Sequence, residues 1–209
     1  MRTLILCNGE SSSGELLGTF VSRCDFFVAA DGGGNHALKM GFTPDVIIGD
    51  LDSYRPVNSF DGTVIRDSDQ ETNDLEKAMK LALEKGSRRI NILGATGNRL
   101  DHSLKNLSVL AQFASQCDRL MMADDHLMTL VIPTGFAVDL PEGHMVSLFP
   151  LSGKVEGIST SGLKYPLYGE TLENGKRDGS SNEAIGGTVR ITYTRGVLLF
   201  MCAHTEALM

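Results

Sequence analysis

The sequence predicts an α/β domain built on a mainly parallel sheet, followed by a small C-terminal all-β domain, an antiparallel β-sandwich. Two observations predict it. Strand-like and helix-like segments alternate over roughly the first 120 residues, the pattern of a parallel sheet covered on both faces. After that, short and often β-branched segments follow one another, separated by Pro, Gly and Asn, with no helix pattern among them. A chain of 209 residues is long enough to bury two small cores. The join falls near residues 124–135, and we divide the chain into domains 1–130 and 131–209.

Taken in order, residues 2–7 read as a short apolar strand and 15–22 as a helix. Residues 26–30 form the next strand, ending in Asp31-Gly32-Gly33-Gly34, with a short helix over 35–40 and a strand over 45–48. A weaker strand covers 63–66. The clearest helix spans 74–85, where Leu75, Ala78, Met79, Ala82 and Leu83 share one face. Asn73 with Glu76 makes a capping box at its start, and Gly86 is its natural stop. A strand over 89–93 precedes a helix over 103–115, whose expected buried face is Leu104, Leu107, Ala111 and Ala114. A strand over 119–123 completes the first domain. The second contains strands over 127–132, 136–140, 145–149, 155–159, 189–194 and 197–202. The stretches 162–167 and 180–183 read as loops.

Composition narrows the function. Hydrophobic residues make up 42% and charged residues 22%, ordinary for a globular protein. No apolar run approaches the roughly 20 residues that cross a bilayer, and the start is too short in apolar residues for a secretory signal, so no membrane partner is expected. The formal net charge of −7 argues against a nucleic-acid partner, which needs clustered Lys and Arg. Cys7, Cys24, Cys117 and Cys202 are far apart and form no CxxC pair, which suits a cytoplasmic protein with reduced thiols rather than a zinc knuckle or disulfide framework. The nine methionines read as core filler.

Chemistry-bearing residues gather just after the predicted strands, where open parallel sheets bind ligands. Asp31 follows the second strand, and Asp50 and Asp52, in Gly49-Asp50-Leu51-Asp52-Ser53, follow the third. Asp74 opens the amphipathic helix. Arg99 and Asp101, in Gly94-Ala95-Thr96-Gly97-Asn98-Arg99-Leu100-Asp101-His102, follow the strand over 89–93. Several carboxylates on one sheet edge repel one another unless a cation lies between them. Hard oxygen ligands completed by water and substrate phosphates describe Mg²⁺ in phosphoryl transfer. Arg99, a cation among acids, fits either a structural ion pair or the stabilisation of phosphate charge. No GxxxxGK[ST], GxGxxG or GxSxG stretch occurs, so P-loop, dinucleotide and serine-elbow readings fall away. The histidines lack metal-ligand spacing, and His102 reads as a helix-start residue.

Seven stretches together resemble the thiamine pyrophosphokinase family: Ala30–Gly33, Pro44-Asp45, Gly49–Ser53, Asp69-Gln70-Glu71-Thr72-Asn73-Asp74, Gly94–His102, Gly162–Leu167 and Ser181-Asn182-Glu183. They span both domains in the family's order. The resemblance implies transfer of a pyrophosphoryl group from ATP to the hydroxyethyl group of thiamine, giving thiamine diphosphate and AMP with Mg²⁺ as cofactor. It implies an α/β catalytic domain that binds ATP and magnesium, a thiamine-binding sandwich, and a homodimer with active sites at the subunit interface. Carried onto this chain, Asp50, Asp52 and Asp74 are metal ligands or neighbours of the metal. Asp31, Arg99 and Asp101 line the nucleotide and phosphate region. Gln70, Asn73 and, from the other subunit, Ser180, Ser181 and Asn182 are substrate contacts. Asp74, Arg99 and Asp101 form the catalytic set, with Asp74 or Asp101 taking the hydroxyl proton. One departure stands out: Ala184 follows Ser-Asn-Glu where a bulkier aromatic is frequent in relatives, and the chain has no Trp. The alternatives are a metal-dependent hydrolase of nucleotides or thiamine diphosphate, and a non-catalytic sensor of thiamine or nucleotide.

Overall fold

Six parallel strands make the frame of the first unit, Met1–Asp125, in a computed structural model that describes residues 1–10, 12–56 and 60–209. They are β1 (Arg2–Leu6), β2 (Phe26–Ala30), β3 (Val46–Gly49), β4 (Thr63–Arg66), β5 (Arg89–Leu93) and β6 (Arg119–Ala123), in the order β6-β5-β1-β2-β3-β4. Helices α1 (Gly14–Val21), α2 (Gly33–Lys39), α3 (Asp74–Glu84) and α4 (Leu100–Phe113) supply the crossovers that follow β1, β2, β4 and β5. The chain runs outward from β1 to β4 and then returns to β5 on the other flank of β1. That reversal opens a crevice at the carboxyl ends of β1 and β5, the place where such sheets bind ligands.

Local chemistry explains the elements. The inner strands are apolar on both faces because helices cover both: Leu4, Ile5, Val28, Ile47, Ile90 and Ile92 are all buried. Helix α3 begins where the Asn73 side chain accepts from Glu76 N at 3.0 Å and the Glu76 carboxylate accepts from Asn73 N at 3.2 Å. A cap of this kind is worth about 1 kcal/mol. Glu76 is buried and paired with Lys105 of α4 at 2.6 Å, so the cap also ties two helices together.

Helix α4 differs from expectation. It starts three residues earlier, and its buried residues are Asn106, Val109, Leu110 and Phe113, whereas Leu104 is 56% exposed. Both stripes have helical spacing. The sheet takes the one containing Asn106, whose amide donates to Ala95 O at 2.8 Å and anchors that face.

At the opposite, amino edge of the sheet three arginines stand in register: Arg2 beside Arg89, and Arg89 beside Arg119. Burial, then Arg89 and Arg2, hold the Arg119 guanidinium below its ordinary value. Arg2 pairs with Asp25 at 3.7 Å.

The second unit, His126–Met209, is two four-stranded antiparallel sheets. Its strands are β7 (Met128–Ile132), β8 (Phe136–Leu140), β9 (Met145–Pro150), β10 (Lys154–Ser161), β11 (Tyr168–Glu173), β12 (Gly179–Glu183), β13 (Gly187–Thr192) and β14 (Leu198–Cys202). One sheet runs β12-β9-β14-β7 and the other β11-β10-β13-β8. Alternate residues such as Val138, Leu140, Val146, Leu148, Val189 and Ile191 are buried, and the Phe136 and Phe200 rings, one from each sheet, meet at 5.1 Å. The β11 and β12 strands were not expected. Both lie at sheet edges, where a strand needs neither a second neighbour nor an apolar sequence. No helix among the described residues is long and apolar enough to cross a membrane.

Candidate active site

The loops after β1, β2, β3 and β5 and the first turn of α3 enclose a cavity of about 440 Å³ at the crevice. Asp31 leaves β2 in the left-handed region at φ 45 and is almost wholly buried. Its two carboxylate oxygens accept from Ser53 N at 3.1 Å and Tyr54 N at 3.0 Å, so it pins the loop after β3. Tyr54 packs against Ala29 and Ile47 and completes that anchor.

Asp50 follows Gly49, a position that has to be glycine: a Cβ there would lie 2.9 Å from the Asp74 carboxylate and from Asp31 Cβ. Asp74 is the first residue of α3, where the helix dipole favours an anion. One carboxylate oxygen from each of Asp31, Asp50 and Asp74 lies within 4.8 Å of the others. Burial pushes the Asp74 carboxyl above the usual carboxylate range; Lys77 pulls it back, and Asp31 and Asp50 push it further up. Lys77 sits one turn along α3 with a side chain only 2% exposed, its Nζ 3.4 Å from Asp74 Oδ1.

Three acids and one ammonium within such a space carry a charge of about −2, and their donors are hard oxygens. That set fits one divalent cation of the magnesium type, completed by water and phosphate oxygens. Asp52 lines the same cavity but stands outside the trio. Leu51 at φ 65 turns the chain, so that Asp52 N donates to Asp50 Oδ1 at 3.1 Å and the Asp52 carboxylate accepts from Ser53 Oγ at 2.8 Å.

Arg99 lines the cavity from the N-cap of α4. Its guanidinium donates to both oxygens of Asp101, with both side chains about two-thirds exposed. The Arg99 hydrogen bond is the main reason the Asp101 carboxyl falls to about 2. Asp101 itself is not among the cavity walls. Asn73 is, and its amide also caps α3 and donates to Asn106 Oδ1 at 2.9 Å, which leaves one N–H for a further partner. Gln70 lies on the exposed turn before α3, donating to Ser68 O at 3.3 Å.

In the second unit, Ser180, Ser181 and Asn182 lie on β12 rather than in a loop, with Ser181 at φ 58 in a break of the pairing with β9. Ser180 N donates to Asp178 and Ser181 N to Ser147 Oγ, both at 3.0 Å. The Asn182 amide clamps Tyr165, accepting from its N at 3.1 Å and donating to its O at 2.8 Å. Ala184 is buried, so it presents no surface to a ligand.

Sequence reasoning did not single out Lys77, Asn8 or Asn106. For Lys77 a signal existed, since it lies three residues beyond Asp74 on the helix. For Asn8 it was the position just past β1.

Comparison with known proteins identifies the family. Residues 17–122 match the family described as "Thiamin pyrophosphokinase, catalytic domain", and residues 130–198 match "Thiamin pyrophosphokinase, vitamin B1 binding domain". The chain is 31% identical over 176 residues to thiamin pyrophosphokinase 1 of Caenorhabditis elegans, covering 78% of this chain and 72% of that one. It is 25% identical over 210 residues to thiamine pyrophosphokinase of Bacillus subtilis (strain 168), covering 96% and 98%. The crystal structure of the Bacillus subtilis protein superposes with a TM-score of 0.82 over 98% of this chain and 100% of that one, at 24% identity. Thiamin pyrophosphokinase from Candida albicans gives 0.84 over 97% and 90%, at 18% identity, a likeness of fold. The chain belongs to the thiamine pyrophosphokinase family.

Proposed function

We propose that this chain transfers the pyrophosphoryl group of ATP to the hydroxyethyl oxygen of thiamine, releasing AMP and thiamine diphosphate. The observation that carries the reading is the trio Asp31, Asp50 and Asp74, met by Arg99 in one polar cavity at the sheet's switch point. The thiamine hydroxyl oxygen attacks the β-phosphorus in line, the bond from that phosphorus to the α-phosphate oxygen breaks, and AMP leaves. Reactions of this kind depend on positioning and on stabilising phosphate charge.

Asp50 and Asp74, with Asp31 and with Asp52 as a neighbour, would hold Mg²⁺. When bound, the ion supplies charge neutralisation on the phosphate oxygens. Arg99 takes the phosphate charge from the other side of the cavity, and Asp101 fixes its guanidinium plane. Of the two carboxylates able to accept the hydroxyl proton, Asp101 is the weaker base because Arg99 holds it at about 2, which leaves Asp74.

The reading includes an ATP- and magnesium-binding domain over 1–130 and a thiamine-binding domain over 131–209. It also includes a homodimer, in which Gln70 and Asn73 of one subunit and the partner subunit's Ser180, Ser181 and Asn182 contact thiamine. The four cysteines, all free thiols, suit a reducing cytoplasm.

The test is to measure AMP and thiamine diphosphate with ATP, Mg²⁺ and thiamine each omitted in turn, on the wild type and Asp50→Asn. Equal amounts of both products, dependent on all three components and lowered at least ~100-fold in the variant, are expected. ATP consumption without thiamine would move the assignment to a hydrolase, and full activity in Asp50→Asn would remove the metal-site reading.

A further inference from the structure

Asn8 stands just past the end of β1 and lines the cavity together with Asp31, Asp50, Asp74 and Arg99. Its backbone is held on both sides: Cys7 N donates to Leu93 O at 2.8 Å, and Gly9 N to Gly94 O at 2.7 Å. Its side chain is held as well. Asn8 Oδ1 lies 3.1 Å from His36 Nε2, which makes the imidazole the donor and Nε2 the protonated nitrogen. Burial, and then Lys39, hold His36 below its usual value, which favours the neutral ring. A third contact comes from Gly32, where a Cβ would sit 2.4 Å from Asn8 Cγ and Nδ2. The amide therefore lies flat on the bare Cα of Gly32.

This arrangement leaves one group over. Asn8 Nδ2 donates to no acceptor among the described residues, and Asn8 is exposed. The orientation has a reason: with the amide turned round, its oxygen would face a cavity walled by Asp31, Asp50, Asp52 and Asp74. A neutral N–H₂ presented to a cavity that receives a polyphosphate can hydrogen-bond an anionic oxygen without competing with the carboxylates for a metal.

We propose that Asn8 binds a phosphate oxygen of the nucleoside triphosphate through Nδ2, and that His36 is the positioning residue that fixes its amide. The proposal rests on the reading of this cavity as the nucleotide site. His36 touches no substrate; it acts by holding Oδ1, while Gly32 supplies the floor.

The experiment measures binding of Mg²⁺ with α,β-methylene-ATP, which cannot give up its pyrophosphoryl group, alongside steady-state kinetics. Asn8→Ala should weaken nucleotide binding and raise KM for ATP about tenfold, leaving KM for thiamine within about twofold. Asn8→Asp, nearly isosteric, should be at least as damaging, since it sets another anion against the phosphate. Gly32→Ala should reproduce Asn8→Ala, because residue 32 has ordinary helical angles (φ −59) and the Asn8 amide is what its new methyl displaces. His36→Ala should weaken binding about threefold to fivefold, His36→Gln should restore it because a glutamine Nε2–H can replace the imidazole donor, and His36→Ala should add nothing in an Asn8→Ala background. Unchanged nucleotide affinity in Asn8→Ala would overturn the contact. Equal, additive effects of His36→Ala with and without Asn8 would overturn the positioning role. A wild type that binds the analogue but forms no AMP would refute the transfer reaction, while the binding arm still decides the role of Asn8.

Discussion

Replacing Lys77 by Met removes the ammonium behind the acid trio while keeping a flexible chain of similar length in its slot. The Lys77 side chain is 2% exposed and its Nζ lies 3.4 Å from Asp74 Oδ1. At an effective dielectric near 20, unit charges at that distance attract by about 5 kcal/mol. Asp74 is 33% exposed, so water screens part of this, and the buried ammonium has already given up hydration. A net loss of about 2 kcal/mol remains, equivalent to a fall in Tm of roughly 4–8 °C for a chain of this size. The second half of the expectation has the opposite sign. Without the ammonium, the trio's surroundings become about one charge more negative, so Mg²⁺ should bind Lys77→Met more tightly than wild type. Thermal unfolding with and without Mg²⁺, and calorimetric titration of the metal, check both halves. Mg²⁺ should raise the variant's Tm by more than it raises the wild type's. A variant with unchanged Tm, or with weaker metal binding, would refute the view that Lys77 is the counter-charge of this cluster.

Two further outcomes follow from the geometry. The Asp101 carboxyl falls from an ordinary 3.8 to about 2, chiefly through Arg99, so its contribution to stability is complete above pH 4 and fades as pH drops towards 2. Asp101→Asn should remove that part of the acid unfolding curve, and at pH 7 it should lower turnover about tenfold by freeing Arg99, as stability and rate measurements across pH would show. Gly33→Ala would put a Cβ 2.1 Å from Leu6 O, a backbone atom of β1. The expected cost is about 3 kcal/mol or more, seen as a large fall in Tm and in soluble yield.

Much of the first unit was legible because both sides of its sheet are covered. Apolar runs such as Phe26–Ala30 admit few other readings, and the Asn73–Glu76 cap marks its helix unambiguously. What escaped was decided by tertiary context. Leu104 and Leu107 have the spacing of a buried stripe, yet the sheet meets the Asn106 side of α4. Gly179–Glu183 is too polar and too poor in β-branched residues to announce a strand, but as an edge strand it needs only β9. The acids were legible from the rule that ligands gather at the carboxyl ends of strands. Their grouping was not, because it turns on single backbone angles: Leu51 carries Asp52 away from Asp74, while the left-handed Asp31 brings its own carboxylate in. Lys77 was not singled out: its spacing from Asp74 is visible in the sequence, but the burial that makes the pair matter is not.

The arginines in register at the amino edge of the first sheet, Arg2, Arg89 and Arg119, lie at the opposite ends of the strands from Asp31 and Asp50. The cavity end of the unit is acidic, with Asp31, Asp50, Asp52 and Asp74 against Arg99, in a protein whose formal net charge is already −7. Such a field turns the molecule as a ligand approaches, drawing cations to the cavity mouth and holding bare polyanions off it. Nucleotide would then arrive in productive orientation chiefly as its metal complex, with most of its charge already cancelled. The capture rate of a cationic second substrate would be highest at low ionic strength and would fall as salt shortens the reach of the field.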